Sequence, residues 1–206
     1  SFGDDPGDEW RRVRLRTHGR NLLARLAAIM AEYAYGHTDK TASFAVPVDL
    51  RRHLPGLNSV GNFANMLMVQ LERGETADDF RRKLAAMLDA RSDAYFPASV
   101  NVLKAIPLGW MDRLLSRMLR DRPMETALIS NLGRLDSGHY SCDEFRMRGL
   151  FALPMAGSVF SVLTTVDDTT ELILGMPRRL ASEGRFDAFL EFLHARLAAE
   201  AETSPG

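Results

Sequence analysis

The sequence predicts an α/β protein in which helices cover a mixed β-sheet. Apolar residues recur in some segments at the three- and four-residue spacing of helices and in others at the two-residue spacing of strands. The predicted order is a helix, two strands, further helices, four strands and a closing helix, which packs most simply as a helix-covered sheet. The 46% hydrophobic and 26% charged content is typical of a globular domain.

The first part of the sequence changes from a polar lead-in to a helix and then to a strand. We assign residues 1–16, which begin with a run rich in Gly and Asp, to a linker or lead-in, and residues 17–206 to one domain. An apolar stripe over 22–33 predicts the first helix, with Gly36 as its stop. Alternation over 44–50 predicts a strand with one buried face.

Two features predict where the early strands lie in the sheet. Pro47 cannot donate a hydrogen bond, which indicates a sheet edge or an opening between strands. The segment 63–71 is apolar on both faces, which predicts a central strand.

The remaining elements follow from capping residues and periodicity. Thr76 and Asp79 resemble a capping box, which predicts the start of a helix. Beyond it we predict two helices over 98–120 broken at Pro107, strands over 125–132, 145–151, 157–166 and 170–176 with a hairpin turn at Asp167-Asp168, and a closing helix with its apolar stripe over 186–197.

Charge and cysteine content exclude several classes of function. Twenty-six Lys and Arg residues against 27 Asp and Glu residues leave a net charge of −1, so no global field attracts nucleic acid or an anionic membrane. Cys142 is the single cysteine, which excludes an internal disulfide and a thiolate metal cluster. The apolar runs are too short to cross a bilayer, and we see no secretion signal. We therefore expect a cytoplasmic protein without a metal site or a membrane span.

Three short segments, taken in order, are more informative than the general pattern. They are VPVDLRR (46–52), VGNFAN (60–65) and ISNLGRLD (129–136). The set resembles blocks in the C-terminal half of the chloramphenicol-acetyltransferase-like superfamily, which includes peptide-synthetase condensation domains and wax-ester, polyketide-associated and alcohol acyltransferases. Each segment alone is a weak motif, and the ordered set is more specific.

The resemblance implies a chloramphenicol-acetyltransferase-like subdomain and an enzyme of two similar halves with a tunnel between them. In such enzymes the catalytic histidine belongs to an HHxxxDG motif in the N-terminal half, and this sequence lacks that motif. We therefore interpret the chain as the C-terminal half of an acyltransferase. The missing N-terminal half is its first expected partner, and a fragment separated from that half is expected to self-associate through its exposed apolar face.

The resemblance assigns a role to Arg51. It matches the family arginine that reaches across to the aspartate of the histidine motif, and a guanidinium holds a carboxylate through two parallel hydrogen bonds. The alternative is a surface arginine at a strand end, as we expect for Arg52.

Five further residues are candidates for the substrate tunnel, each with a simpler alternative. Ser130 is a candidate oxyanion donor, because attack on a thioester creates a tetrahedral oxyanion; alternatively it bonds backbone at a strand end. Asn131 is the weaker candidate in the same strand. Gly61 and Asn62 permit close approach of a ligand or simply form a turn. Met66 lines an acyl channel or fills the core.

The histidines give little support for a catalytic site within the sequence. His139 and Asp143 form an HxxxD pair, but five histidines and 27 acidic residues give roughly 0.65 such pairs by chance. The pair also lacks the second histidine and the glycine of the family motif. The other histidines lack partners at metal-ligand spacing and are expected on the surface. They are His18, His37, His53 and His194.

Acyl transfer from the thioester of coenzyme A or a carrier protein to a hydroxyl or amine acceptor is the leading interpretation. No bound cofactor is expected, because the acyl thioester is a substrate. The first alternative is a non-catalytic condensation-like module that binds other proteins, and the second is a complete small acetyltransferase that uses His139 as a homotrimer.

Overall fold

In the computed structural model, the described residues form one mixed six-stranded sheet with helices packed on it, which confirms the predicted fold class. The described residues are 7–15, 21–59, 61–94, 107, 109–110, 125–152 and 158–203. The strands are β1 (Asp8–Leu15), β2 (Ala42–Asp49), β3 (Ala64–Leu71), β4 (Ala127–Leu135), β5 (Phe160–Val166) and β6 (Thr169–Pro177). The helices are α1 (Leu22–Tyr35), α2 (Ala77–Asp89), the four-residue α3 (Arg178–Ala181) and α4 (Arg185–Thr203).

The strands lie in the spatial order β1-β6-β5-β4-β2-β3. The pairs β2/β4 and β4/β5 are parallel, and the other neighbours are antiparallel. Strands β5 and β6 form the predicted hairpin, in which Asp167 turns the chain with a φ of 51°. Among the described residues, no helix is long and apolar enough to cross a membrane.

Side-chain alternation divides the sheet into two faces. One face, here called the helix face, packs against α1, α2 and α4 through residues such as Phe44, Ile129 and Leu172. The opposite face, here called the second face, carries a smaller buried cluster. That cluster consists of Ala45, Leu128, Phe160, Val162 and Ile173.

The helix predictions within the described residues are confirmed at their ends. Helix α1 stops at Gly36, whose N–H donates to carbonyls of the last turn. Helix α2 begins with the predicted capping box, in which Thr76 accepts a bond from the Asp79 N–H and Asp79 accepts one from the Thr76 N–H. The two helices predicted over 98–120 lie almost entirely outside the described residues.

The opening indicated by Pro47 is present between β2 and β4. Strand β2 pairs with β3 along its whole length, but with β4 only at Phe44↔Ala127 and Ala45↔Leu128. Beyond these two positions the parallel strands separate toward their carboxyl ends. Because Pro47 lacks an N–H, β2 loses one donor that β4 would otherwise have to satisfy.

Two strand predictions were wrong. Strand β3 lies at the end of the described sheet rather than at its centre. Only its alternate residues are buried, and Met66 and Met68 are exposed. The segment 145–151 is not a strand: its only ladder contact is an isolated bridge from Phe145 to Cys142, and its aromatic residues point largely to solvent.

The prediction of a solvated lead-in was also wrong for residues 8–15, which form strand β1 at the other sheet edge. Two arginines of this strand, Arg12 and Arg14, are paired across the sheet with Glu171 of β6. Its Oε2 lies 2.8 Å from Arg12 Nε, and its Oε1 lies 3.1 Å from Arg14 Nε. Glu171 is buried, and the hydrogen bond from Arg12 lowers the pKa of its carboxyl group.

Replacing Arg12 with alanine should therefore destabilise the chain. The variant leaves the buried Glu171 carboxylate with Arg14 as its remaining charged partner, at a cost of about 1–3 kcal/mol. Because the folded-state pKa of Glu171 is lowered, this stabilisation is present above about pH 4.3, the unfolded-state value, and is lost as the pH falls below it.

The measurement is the melting temperature of both variants across this pH range, with Arg11→Ala as the matched control. Arg11 neighbours Arg12 on β1 but pairs with the partly exposed Glu9. Equal effects of the two substitutions at neutral pH would contradict the proposed role of Glu171.

Candidate functional site

The candidate site lies where β2 and β4 separate. The two strands are parallel, so their carboxyl ends point toward the same edge of the sheet. Arg51 follows β2 in a short 3₁₀ turn, Leu50–His53, here called the Arg51 turn, while Ser130 lies within β4. Both residues predicted to be catalytic therefore follow the last β2/β4 pair, Ala45↔Leu128, on the two segments that border the opening.

Arg51 is held by contacts within its own chain. Its Nη1 donates to both carboxylate oxygens of Asp49, at 3.2 Å each. Its Nη2 donates to the carbonyls of Ser59 at 3.1 Å and Gly61 at 2.6 Å. The backbone N–H of Arg51 also bonds Asp49 and, together with the guanidinium, lowers the pKa of that carboxyl group. Arg51 thus fastens the loop before β3 to the end of β2.

Arg52 is more exposed than Arg51, although the two do not lie on opposite faces of a strand. The two residues belong to a 3₁₀ turn, so they do not alternate across a sheet. Arg52 is exposed and makes no hydrogen bond or ion pair within the described part of the chain. The expectation that Arg52 is a surface residue is confirmed.

Gly61 and Asn62 form the loop that Arg51 holds. A Cβ on Gly61 would lie 3.0 Å from the ring of Phe63, so glycine leaves room for this ring, which lies beside the Arg51 guanidinium. Asn62 accepts a bond from the N–H of Ala64 at the start of β3. Both residues therefore have local structural roles, and Val60 lies outside the described residues.

Ser130 and Asn131 face opposite sides of the sheet. Leu128 and Ser130 pair with Phe160 and Val162, whose side chains lie on the second face, so Ser130 points to that face. Ser130 is partly buried, and its hydroxyl makes no hydrogen bond within the described residues.

Asn131 instead lines a cavity of about 450 Å³ between α1, α2 and the end of β4. Its Oδ1 accepts a bond of 2.9 Å from the N–H of Gly133, where the pairing of β4 with β5 shifts in a bulge. Gly133 has a φ of +81°, which favours glycine. Asn131 therefore stabilises the bulge and does not share a surface with Ser130.

Met66 lies on the second face with Ser130. It pairs with Pro47 across β2 and β3, two positions from the Ala45↔Met68 pair, and Ala45 belongs to the cluster on that face. Its exposed fraction is 46%, so it is not core filler. Ser130 lies on β4, which borders the opening, while Met66 lies on β3, one strand beyond β2 on the same face.

Sequence reasoning missed a pair beside Arg51. His53, expected on the surface, has a side chain only 15% exposed, and its Nε2 lies 2.8 Å from Oδ2 of the fully buried Asp93. Burial acts to raise the pKa of Asp93, but the hydrogen bond and charge of His53 and the charge of Arg52 contribute to a net lowering. The two residues are 40 positions apart, so no local pattern links them.

The other described histidines show no comparable arrangement. His139 is exposed, and its Nδ1 lies 3.6 Å from Asp136 rather than beside Asp143. His37 and His194 are exposed as expected, and His18 lies outside the described residues. No cluster of His, Cys, Asp or Glu suited to a metal ion occurs among the described residues.

Comparison with known proteins identifies the fold. No protein-family model and no curated protein matches the sequence. Among solved structures, the starter condensation domain of rhizomide synthetase RzmA is similar with a TM-score of 0.56 and 13% identity over 94% of this chain and 46% of its own. The epimerization domain of the third module of tyrocidine synthetase B has a TM-score of 0.57 and 12% identity over 96% and 49%.

A third similar structure is a probable dihydrolipoamide acetyltransferase from Listeria monocytogenes 4b F2365. Its TM-score is 0.54 at 10% identity, and the match covers 98% of this chain and 88% of that one. The chain thus spans about half the length of the two synthetase domains and most of the acetyltransferase chain. These likenesses show that the chain has the condensation-like fold that its sequence motifs predicted.

Proposed function

We propose that this chain forms one half of an acyltransferase, which moves an acyl group from a thioester of coenzyme A or a carrier protein to a hydroxyl or amine acceptor. The observation that carries the proposal is Ser130, a partly buried hydroxyl that makes no hydrogen bond within the described residues and faces the opening between β2 and β4. A free donor in a partly buried site is suited to a developing oxyanion.

In the proposed reaction, the acceptor O–H or N–H loses its proton to a histidine while its oxygen or nitrogen attacks the thioester carbonyl. The resulting oxyanion accepts a hydrogen bond from Ser130. When the intermediate collapses, the C–S bond breaks and the histidine returns the proton to the leaving thiolate. General-base assistance of this kind is worth about 10²–10⁴-fold.

The histidine is proposed to come from the HHxxxDG motif of an N-terminal half, the partner that completes the tunnel. The match to about half of two synthetase domains supports this division. Arg51 has two proposed roles: it fastens the loop before β3, and it contacts the aspartate of the histidine motif through donors that make no hydrogen bond within the described residues. Cytoplasmic location and a carrier-protein partner belong to the same proposal.

One observation favours a second candidate, a complete single-subdomain acetyltransferase. The match to a probable acetyltransferase covers 88% of that chain, so the fold also occurs in a chain of similar length. Such an enzyme needs its own histidine, and the sequence offered His139. Its exposure and its contact with Asp136 rather than Asp143 give this candidate less support.

Replacing Ser130 with alanine in the complete enzyme should lower kcat by about 10²–10³-fold, the effect of removing one oxyanion donor. KM should change little, because the bond strengthens only in the transition state. Ser161→Ala is the matched control, since Ser161 lies on β5 but faces α1 on the helix face. Steady-state kinetics that show equal effects of the two substitutions would remove the main support for acyl transfer.

The 206-residue chain alone should be folded but catalytically inactive. It should also self-associate or bind a hydrophobic dye, because Met66 and Met68 are exposed on the second face. Acyl transfer is measured with the chain alone, with His139→Ala, and with the N-terminal half added. Turnover by the chain alone that His139→Ala abolishes would establish the second candidate. Absence of turnover even in the complete protein would favour the non-catalytic binding module.

Replacing Arg51 with alanine should free the loop before β3. The loss of the bonds to Ser59 and Gly61 and of the Asp49 pair should lower the melting temperature of the chain and lower acyl transfer steeply in the complete enzyme. Arg51→Lys should rescue poorly, because an ammonium group cannot reproduce the planar fork. Arg52→Ala, at the exposed neighbour, is the control. Equal and small changes in melting temperature and transfer rate at the two positions would show that Arg51 has neither role.

A further inference from the structure

The Arg51 turn is anchored at its far end by a buried carboxylate that none of the motifs includes. We infer that Asp93 is a positioning residue, which acts through His53 to fix the Arg51 turn relative to β3. This inference rests on the proposed function only in its consequence for acyl transfer. Its structural part concerns contacts within the described residues.

Asp93 joins three segments that are distant in sequence. It lies in the 3₁₀ turn Ser92–Ala94 that follows α2. Its Oδ2 contacts His53 Nε2 in the Arg51 turn at 2.8 Å, and its main-chain carbonyl accepts a bond of 2.6 Å from Asn65 Nδ2 in β3. The side chain and the backbone of one residue therefore set the distance between the Arg51 turn and the edge strand.

The energetics favour a role in geometry over a role in stability. Asp93 is fully buried, and its second carboxylate oxygen, Oδ1, makes no hydrogen bond within the described residues. A buried carboxylate that has one side-chain hydrogen bond among the described residues contributes little to stability, since an apolar side chain of similar size avoids the desolvation cost. The carboxylate instead fixes the orientation of the His53 ring. An ionised Asp93 can only accept hydrogen bonds, so Nε2 of His53 must carry the proton.

The remaining bonds of the turn explain how this anchor affects Arg51. The N–H of Leu50 donates to the carbonyl of Phe63 at 2.7 Å, and the N–H of Leu54 donates to the carbonyl of Arg51 at 2.9 Å. These two bonds hold the ends of the turn, and the Arg51 bonds described above tie it to β2 and to the loop before β3. The His53–Asp93 contact adds a tie from the turn to the segment after α2, which Asn65 links to β3, so it limits how far the turn and Arg51 can shift together. Since the pair contacts no reacting group within the described residues, we assign it to positioning and not to catalysis.

The test is hydrogen exchange of individual backbone amides in the 206-residue chain. Asp93→Asn and His53→Gln should each accelerate exchange of the Leu50 and Leu54 amides by about tenfold or more, because the turn opens locally. Amides in the β5 ladder should be unchanged. The double variant should exchange no faster than the single variants, because both remove the same contact. His194→Gln, at an exposed histidine on α4, is the matched control and should have no effect.

Two outcomes would overturn the inference: unchanged exchange at Leu50 and Leu54, or a uniform acceleration across the whole sheet. If Asp93→Asn does not fold, His53→Gln decides the matter, because that side chain is partly exposed. In the complete enzyme, Asp93→Asn and Arg51→Ala should lower kcat non-additively. If the complete protein shows no acyl transfer while Asp93→Asn still loosens the turn, the proposed function fails and the positioning role stands; if kcat is measurable but neither substitution lowers it, only the role of Arg51 in acyl transfer fails.

Discussion

The separation of β2 from β4 is the constraint on which the candidate site depends. Two parallel strands that pair at only two positions leave backbone groups without ladder partners, a cost that most sheets avoid. Pro47 reduces that cost by removing one donor, and continuous pairing with β3 keeps β2 in place. The helix face stays covered across the gap because Phe44 and Val46 are buried there. The gap between β2 and β4 therefore leaves the hydrophobic core on the helix face intact.

The Arg51 turn shows how a charged residue can be both structural and available. Four of its guanidinium hydrogen bonds go to Asp49 and to two carbonyls, so the side chain is already oriented. A carboxylate from a partner must use the Nε donor or compete with Asp49, whose own contact is largely exposed. Because the local contacts already order the Arg51 side chain, less conformational entropy is lost when it binds a second carboxylate. The same contacts occupy several of its donors, which weakens that binding. The Arg51 guanidinium is therefore already oriented to bind a carboxylate, although Asp49 and two carbonyls use part of its hydrogen-bonding capacity.

Local signals predicted the elements that depend on local chemistry. The capping box at Thr76, the stop at Gly36 and the turn at Asp167 each involve residues within a few positions, and all three are confirmed. Strand β1 could not be predicted in this way, because two of its three arginines pair with Glu171, which is about 160 residues away. The edge position of β3 depends on which strand lies beside it, and that is a property of the assembled sheet. The His53–Asp93 pair was missed for the same reason.

The same distinction separates the motif residues that build the fold from those left free for chemistry. Gly61, Asn62 and Asn131 each satisfy a neighbouring backbone group or ring, so the loop and the bulge require them whatever the chain does. A resemblance carried by such residues supports the fold, and it does not by itself support a reaction. Ser130 is different, because its hydroxyl makes no hydrogen bond within the described residues and is therefore available to a ligand. The proposal of acyl transfer therefore depends on this available hydroxyl and its position on the strand that borders the opening, more than on the motif as a whole.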